Sequence, residues 1–151
     1  MSHTPKENYK AWGIDLEEFS GLNSESQRLE FFLKFAVLAP SGHNSQPWRF
    51  FVKDNSIEVY LTSERLLRVG DSNNRQATIS IGCAIENICI AADYYGYSTE
   101  VRVIGNGLDG SPVAVVSLNK STKSPDKNGH LIHQIKERSV NRTKFTKALE
   151  P

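Results

Sequence analysis

The sequence is short of sulfur, of long apolar runs and of any overall charge bias. It has two cysteines and one methionine in 151 residues. Cys83 and Cys89 fall six positions apart in one helical pattern, about 9 Å along the axis and beyond the roughly 7 Å Cα limit for a disulfide. Neither has a CxxC partner, so both are expected as free thiols, small buried hydrophobes of a reducing compartment. The longest apolar stretch, residues 31–40, is broken by Lys34, and MSHTPKENYK at the start has no apolar signal segment. These absences exclude a bilayer span and favour a soluble, cytoplasmic chain with no membrane partner. A net charge of +1 with 38% hydrophobic and 23% charged residues is an ordinary single-domain balance. A chain of this length buries roughly 70% of its unfolded surface, enough for a real core.

Local patterning divides the chain. SESQRLEFFLKFAVL at 24–38 opens with a capping box, Ser24 followed three residues later by Gln27. It continues with Leu29, Phe32, Leu33, Ala36 and Val37 at helical spacing, predicting a helix that stops at Ala39 and Pro40. WRFFVK and SIEVYL, split by Asp54 and Asn55, predict a hairpin over 48–61. A second helix is expected from Ser72 to Tyr95, with Asp71 or Ser72 as N-cap and Gly96 just past its end. Its apolar residues cover most of the circumference, which predicts a central helix buried on most faces. Gly82 within it costs about 1 kcal/mol against alanine, so another backbone or a ligand is expected to come close there. TEVRVI at 99–104 and PVAVVSL at 112–118 read as strands, the second an interior one.

After Leu118 the polar stretch NKSTKSPDKNG reads as a linker, followed by a short helical pattern, HLIHQIKERS. His130 and His133 stand three apart but have no further ligands nearby, so a solvated helix face is expected and no metal. Residues 120–147 carry eight Lys or Arg against Asp126 and Glu137, a local balance of +6 that leaves the rest of the chain at −5. Such a segment can bind phosphate groups, but no nucleic-acid motif accompanies it, so no nucleic-acid partner is expected.

The densest run of small, amide and turn residues is APSGHNSQPWRF at 39–50, between the first helix and the hairpin. A helix stop and a tight turn account for Pro40 and Gly42, and Trp48 reads as a core aromatic. Ser41 and Asn44 could be turn residues bonding their own backbone. Taken together, the run resembles the signature PSxxNxQPWxF of the FMN-dependent nitroreductase family, matched by Pro40, Ser41, Asn44, Gln46, Pro47, Trp48 and Phe50. GCAIENICIAADYYG resembles the family's central helix through Gly82, Asn87, Ala91, Ala92 and Gly96. KDNSIEVY, LLRVGDSNNRQ and the Gly82–Cys83 pair look most like the Acg-type branch of NAD(P)H nitroreductases.

That resemblance implies an α+β fold, a mostly antiparallel sheet wrapped by helices around a long central helix, with FMN in a groove between subunits. It assigns Pro40, Ser41, Gly42 and Asn44 to the flavin ring, whose edge presents acceptors and one N–H donor that a turn of this composition can meet. The family's arginine pair for the FMN phosphate ordinarily precedes the PSxxN motif. Here Arg28 is the only arginine before it, and the pair at matching separation is Arg138 and Arg142, in ERSVNRTKF. Guanidinium groups suit phosphate because they offer planar paired donors and keep their charge. Acg-type chains look like two fused modules, which implies a division into a nitroreductase-like module at 1–129 and, at 130–151, a basic helical segment resembling the start of a second. On this reading the site would be completed by that second module, or by a homodimer bringing Arg138 of one chain towards Ser41 of another. Two functions follow. One is an oxidoreductase passing electrons from NAD(P)H through FMN to a nitroaromatic or quinone; the other is a non-catalytic FMN-binding or packing module, inactive without a second module. No catalytic side chain is named, because the chemistry belongs to the flavin.

Overall fold

The structure, a computed structural model, describes residues 11–121 and 129–140. Helix α1 spans Glu25–Ala36. Its start is the predicted capping box: Gln27 N–H donates to Ser24 Oγ at 3.2 Å, and Ser24 N–H donates to Gln27 Oε1 at 3.1 Å. Its end comes earlier than the pattern implied. The chain tightens after Ala36 into i→i+3 bonds, Leu38 N–H to Phe35 O and Ala39 N–H to Ala36 O, both at 3.1 Å. The residue before a proline is pushed out of helical geometry, which fixes the turn to Pro40.

Strands β1 (Trp48–Lys53) and β2 (Ser56–Leu61) form the expected hairpin, with Asp54 left-handed at φ 52° in the turn. Helix α2 (Arg75–Tyr94) leads into β3 (Tyr97–Val103) through Gly96 at φ 77°, a conformation that favours glycine. Strand β4 (Ala114–Lys120) then inserts between β2 and β3. The sheet is antiparallel throughout, in the order β1-β2-β4-β3, so β4 is the interior strand its apolar run predicted. Helix α3 (Leu131–Glu137) adds Ile132 and Ile135 to the core and leaves His130 and His133 exposed.

One sheet face carries the core. Ile57, Val59, Val116 and Leu118 are buried on it beneath Phe31, Phe32 and Phe35 of α1 and Ile81, Ala84 and Ile88 of α2. Phe19, in a 3-10 turn at Leu16–Gly21, stacks on Tyr95 at 4.0 Å and on Phe32 at 5.6 Å. Each fully buried phenylalanine contributes about 1.5–3 kcal/mol. Trp48 is a buried core aromatic, as read from the sequence.

Helix α2 departs from its expectations in three respects. It begins at Arg75 rather than Ser72, and its N-cap Asn74 is left-handed at φ 57° with no side-chain cap bond. Asp71 does the capping from outside the helix: its buried carboxylate accepts Gln76 N–H at 3.0 Å and Ala77 N–H at 2.9 Å. The helix is not buried on most faces either. In its first half Thr78, Ile79, Gly82 and Glu86 are exposed, because α1 covers only the opposite side. Gly82 consequently meets no close neighbour; a Cβ there would find nothing within 4 Å among the described residues. A second apolar area is left open at the edge strand β3, where Val101 and Val103 share the core face of the sheet beyond the reach of α2.

Candidate functional site

The chain between α1 and β1 holds three non-glycine residues in left-handed geometry within four positions: His43 (φ 50°), Asn44 (φ 54°) and Gln46 (φ 48°). Each costs about 1–3 kcal/mol and persists only when the surroundings fix it. They do so here. Asn44 N–H donates to Ser41 O at 3.0 Å, Ser45 N–H to Gly42 O at 2.9 Å, and Gln46 N–H to the Ser41 hydroxyl oxygen at 3.0 Å. Arg65 Nη1 donates to Gln46 O at 3.0 Å, and Thr62 N–H to Pro47 O at 3.0 Å. Ser41 therefore has the local turn role that its residue type allowed, and its O–H remains capable of donating. Gly42 is packed closely: a Cβ on it would lie 2.8 Å from Gln76 Oε1 and 3.3 Å from Leu67 Cδ1.

The turn backs onto the end of α1, whose last carbonyls are met from far along the chain. Asn87 Nδ2 donates to Phe35 O at 3.0 Å, Gln46 Nε2 to Val37 O at 3.4 Å, and Arg138 Nη2 to Leu38 O at 2.9 Å. Lys136 Nζ donates to Ile14 O at 2.7 Å, so the last turn of α3 and the residue after it grip both the N-terminal stretch and the end of α1. Between them lies a cavity of about 470 Å³ lined by Ala11, Trp12, Val37, Leu38, Ala39, Asn44, Gln46 and Arg138. The Nε–H of Arg138 is buried with no hydrogen-bond partner among the described residues. A second hollow of about 310 Å³ shares Ala11 and Val37 and is walled by Lys34, which is paired with Glu18.

No family model matches the chain. By sequence, the "Putative NAD(P)H nitroreductase acg" of Mycobacterium tuberculosis is 30% identical over 98 residues, 65% of this chain and 29% of that protein. By structure, a "putative nitroreductase in complex with fmn" from Desulfovibrio desulfuricans superposes with a TM-score of 0.53 at 19% identity. It covers 86% of this chain and 87% of that one. The chain has a nitroreductase-like fold and is similar in sequence to NAD(P)H nitroreductases of the Acg type. A nitroreductase family protein from Clostridium difficile gives a TM-score of 0.52 at 16% identity, over 87% of this chain and 100% of that chain, which supports the same fold. The chain spans less than a third of the Mycobacterium relative it matches.

Of the residues singled out from the sequence, the structure brings Asn44 and Arg138 into one cavity and places Pro40, Ser41 and Gly42 in the turn that carries Asn44. Arg142 lies outside the described residues. Motif order set Arg138 at the wrong end of the chain and left the site to be completed by a second module or a second copy. In the structure Arg138 reaches the end of α1 within its own chain, because α3 packs Ile132 and Ile135 into the core beside α2. Trp12 and Lys136 were not anticipated. A lone tryptophan and a lysine in a basic run carry no pattern by themselves, whereas Gln46 stood within the motif.

Elsewhere the chemistry is quiet. Cys83 and Cys89 are free and half-buried, and burial pushes the Cys89 thiol above its ordinary value, which suppresses the reactive thiolate. Among the described residues no cluster of His, Cys, Asp and Glu could hold a metal ion, and no helix is long and apolar enough to cross a membrane.

The 470 Å³ cavity suits a flat heteroaromatic group with an anionic tail. Its volume lies in the range of small-molecule sites, about 300–1,000 Å³. Its wall is lined by the guanidinium-bearing Arg138, two primary amides and one aromatic residue. An FMN group matches that donor set: carbonyl and ring-nitrogen acceptors for the amides and backbone N–H groups, a phosphate for the guanidinium.

Proposed function

We propose that this chain is a cytoplasmic FMN-binding oxidoreductase of the nitroreductase type, serving NAD(P)H as donor and a nitroaromatic or quinone as acceptor. The observation that carries the proposal is that Asn44 of the PSGHNSQPW turn and Arg138 line one cavity of the same chain. FMN, when bound, supplies the two-electron chemistry between nicotinamide and acceptor. The protein's part is to bind and orient. Pro40, Ser41, Gly42 and Asn44 would hold the ring edge, and Arg138 with Arg142 the phosphate. The strained turn is already fixed by its own hydrogen bonds, so little ordering remains to be done on binding. No side chain is assigned as acid or base.

A second reading is favoured by the chain spanning 29% of its Mycobacterium relative, and by Val101 and Val103 lying uncovered on the core face of β3, Val103 at 75% exposure. It makes the chain an FMN-binding or packing module completed by a second module or a second copy. In that reading residues 1–129 are the first module and 130–151 the opening of the next, its first turns already seated through Ile132 and Ile135.

The test is an absorbance titration of the purified chain with FMN, run with its mass in solution and with NADPH oxidation in the presence of a nitro compound. Saturable binding with turnover supports the oxidoreductase. Binding without turnover supports the incomplete module. A chain that takes up no FMN, as monomer or dimer, overturns both.

A further inference from the structure

Trp12 is the one aromatic among the described residues that line the 470 Å³ cavity, and it is 40% exposed there. Its half-open indole at the wall of a hollow differs from Trp48, Phe31, Phe32 and Phe35, which are buried in the core. Its position is held from behind. Ile14, two residues on, is buried at 5% exposure, and the Ile14 carbonyl accepts from Lys136 Nζ at 2.7 Å. The same segment sends Arg138 to Leu38 O, so the wall bearing Trp12 and the wall bearing the guanidinium are fixed by neighbouring residues. The polar atoms of Asn44, Gln46 and Arg138 can satisfy the rim of a planar ligand, while the broadest flat group in the lining for its face is the Trp12 indole. An indole can, and a flat π-system against tryptophan gains more than its buried area alone.

We propose that Trp12 is a binding residue that stacks on the ring of the aromatic group in this cavity, setting its depth and shielding one face from water. The inference rests on the FMN reading above and adds to it a residue outside the PSGHNSQPW turn.

The experiment compares the full chain with W12F and W12A in FMN titrations read by flavin absorbance and by flavin emission, with thermal melts alongside. A stacked indole quenches flavin emission by electron transfer at contact, which a phenyl ring does not do. We expect bound FMN to be strongly quenched in the native chain. In W12F, affinity should stay within about twofold while emission rises severalfold. In W12A, affinity should weaken about tenfold, the order expected for a lost ring–aromatic stack, and by more than any fall in the melting temperature of the apo chain accounts for. Equal affinity and equal quenching in all three proteins would overturn the role of Trp12 while leaving FMN binding standing. Absence of saturable FMN binding to the native chain would overturn both.

Discussion

The two ends of α1 are closed by opposite means. At the N-terminal end Ser24 and Gln27 satisfy each other across three positions, and nothing distant is required. At the C-terminal end the carbonyls of Phe35, Val37 and Leu38 receive donors from Asn87, Gln46 and Arg138, which lie 52, 9 and 100 positions away. A local closure stabilises the helix and stops there. A closure drawn from α2, the turn and the segment after α3 also makes those elements meet, and the cavity lies where they meet. The difference teaches that the end of a helix can be a structural detail or the organising point of a site, according to where its partners come from.

Four changes would break or sharpen that contrast. The largest effect is expected from Phe32→Ala, since Phe32 is wholly buried midway between the two ends. It should cost about 3–5 kcal/mol in denaturant unfolding and weaken both ends together. Next is Arg138→Ala, which removes a charge-assisted bond to Leu38 O and leaves that carbonyl without its donor. Stability should fall by about 1.5–3 kcal/mol, and FMN affinity by tenfold or more in the absorbance titration. An unchanged affinity would separate the carbonyl's closure from the site. Ser24→Ala should cost about 1 kcal/mol of stability and leave FMN affinity where it was, because its partner is local.

The smallest effect concerns Tyr95, whose hydroxyl donates to Leu16 O at 2.9 Å on the N-terminal side. Burial pushes its phenol well above the ordinary value, with the charges of Tyr94 and Glu17 acting in the same direction. The folded chain thus ionises later than the unfolded one, and the stabilisation is complete below the ordinary phenol pKa of about 10 and is lost as pH rises through the folded value. Unfolding midpoints should be flat from neutral pH to about 9 and then decline, with a shallower decline in Tyr95→Phe. Identical slopes would remove Tyr95 from the account.

What was legible in the sequence follows the same division. The capping box, the Asp54–Asn55 turn, Gly96 after α2 and the interior character of β4 each depend on neighbours within a few residues or on burial of a whole strand, and each was readable. The early end of α1 was not, because tertiary donors rather than helix propensity decide which of its last carbonyls are met. At Gly82 no backbone among the described residues comes close, because a glycine in a helix reports either close approach or mere tolerance and that face of α2 is exposed. In the site, the motif turn announced itself through residue types at fixed spacing. Arg138 was visible as one of an arginine pair, but its approach to the end of α1 was not, since linear order says nothing about what α3 packs against. Trp12 had no signal at all, being a single residue whose importance comes from a cavity formed by segments remote from it.

Lys136 and Arg138 hold carbonyls 122 and 100 positions behind them. A ribosome delivers α1, the hairpin, α2 and the completed sheet before either cation emerges. The core can therefore condense while the pocket still lacks a wall. Order of synthesis makes the cavity later than the helices and sheet that frame it, and any cofactor it takes must arrive after that scaffold has been made.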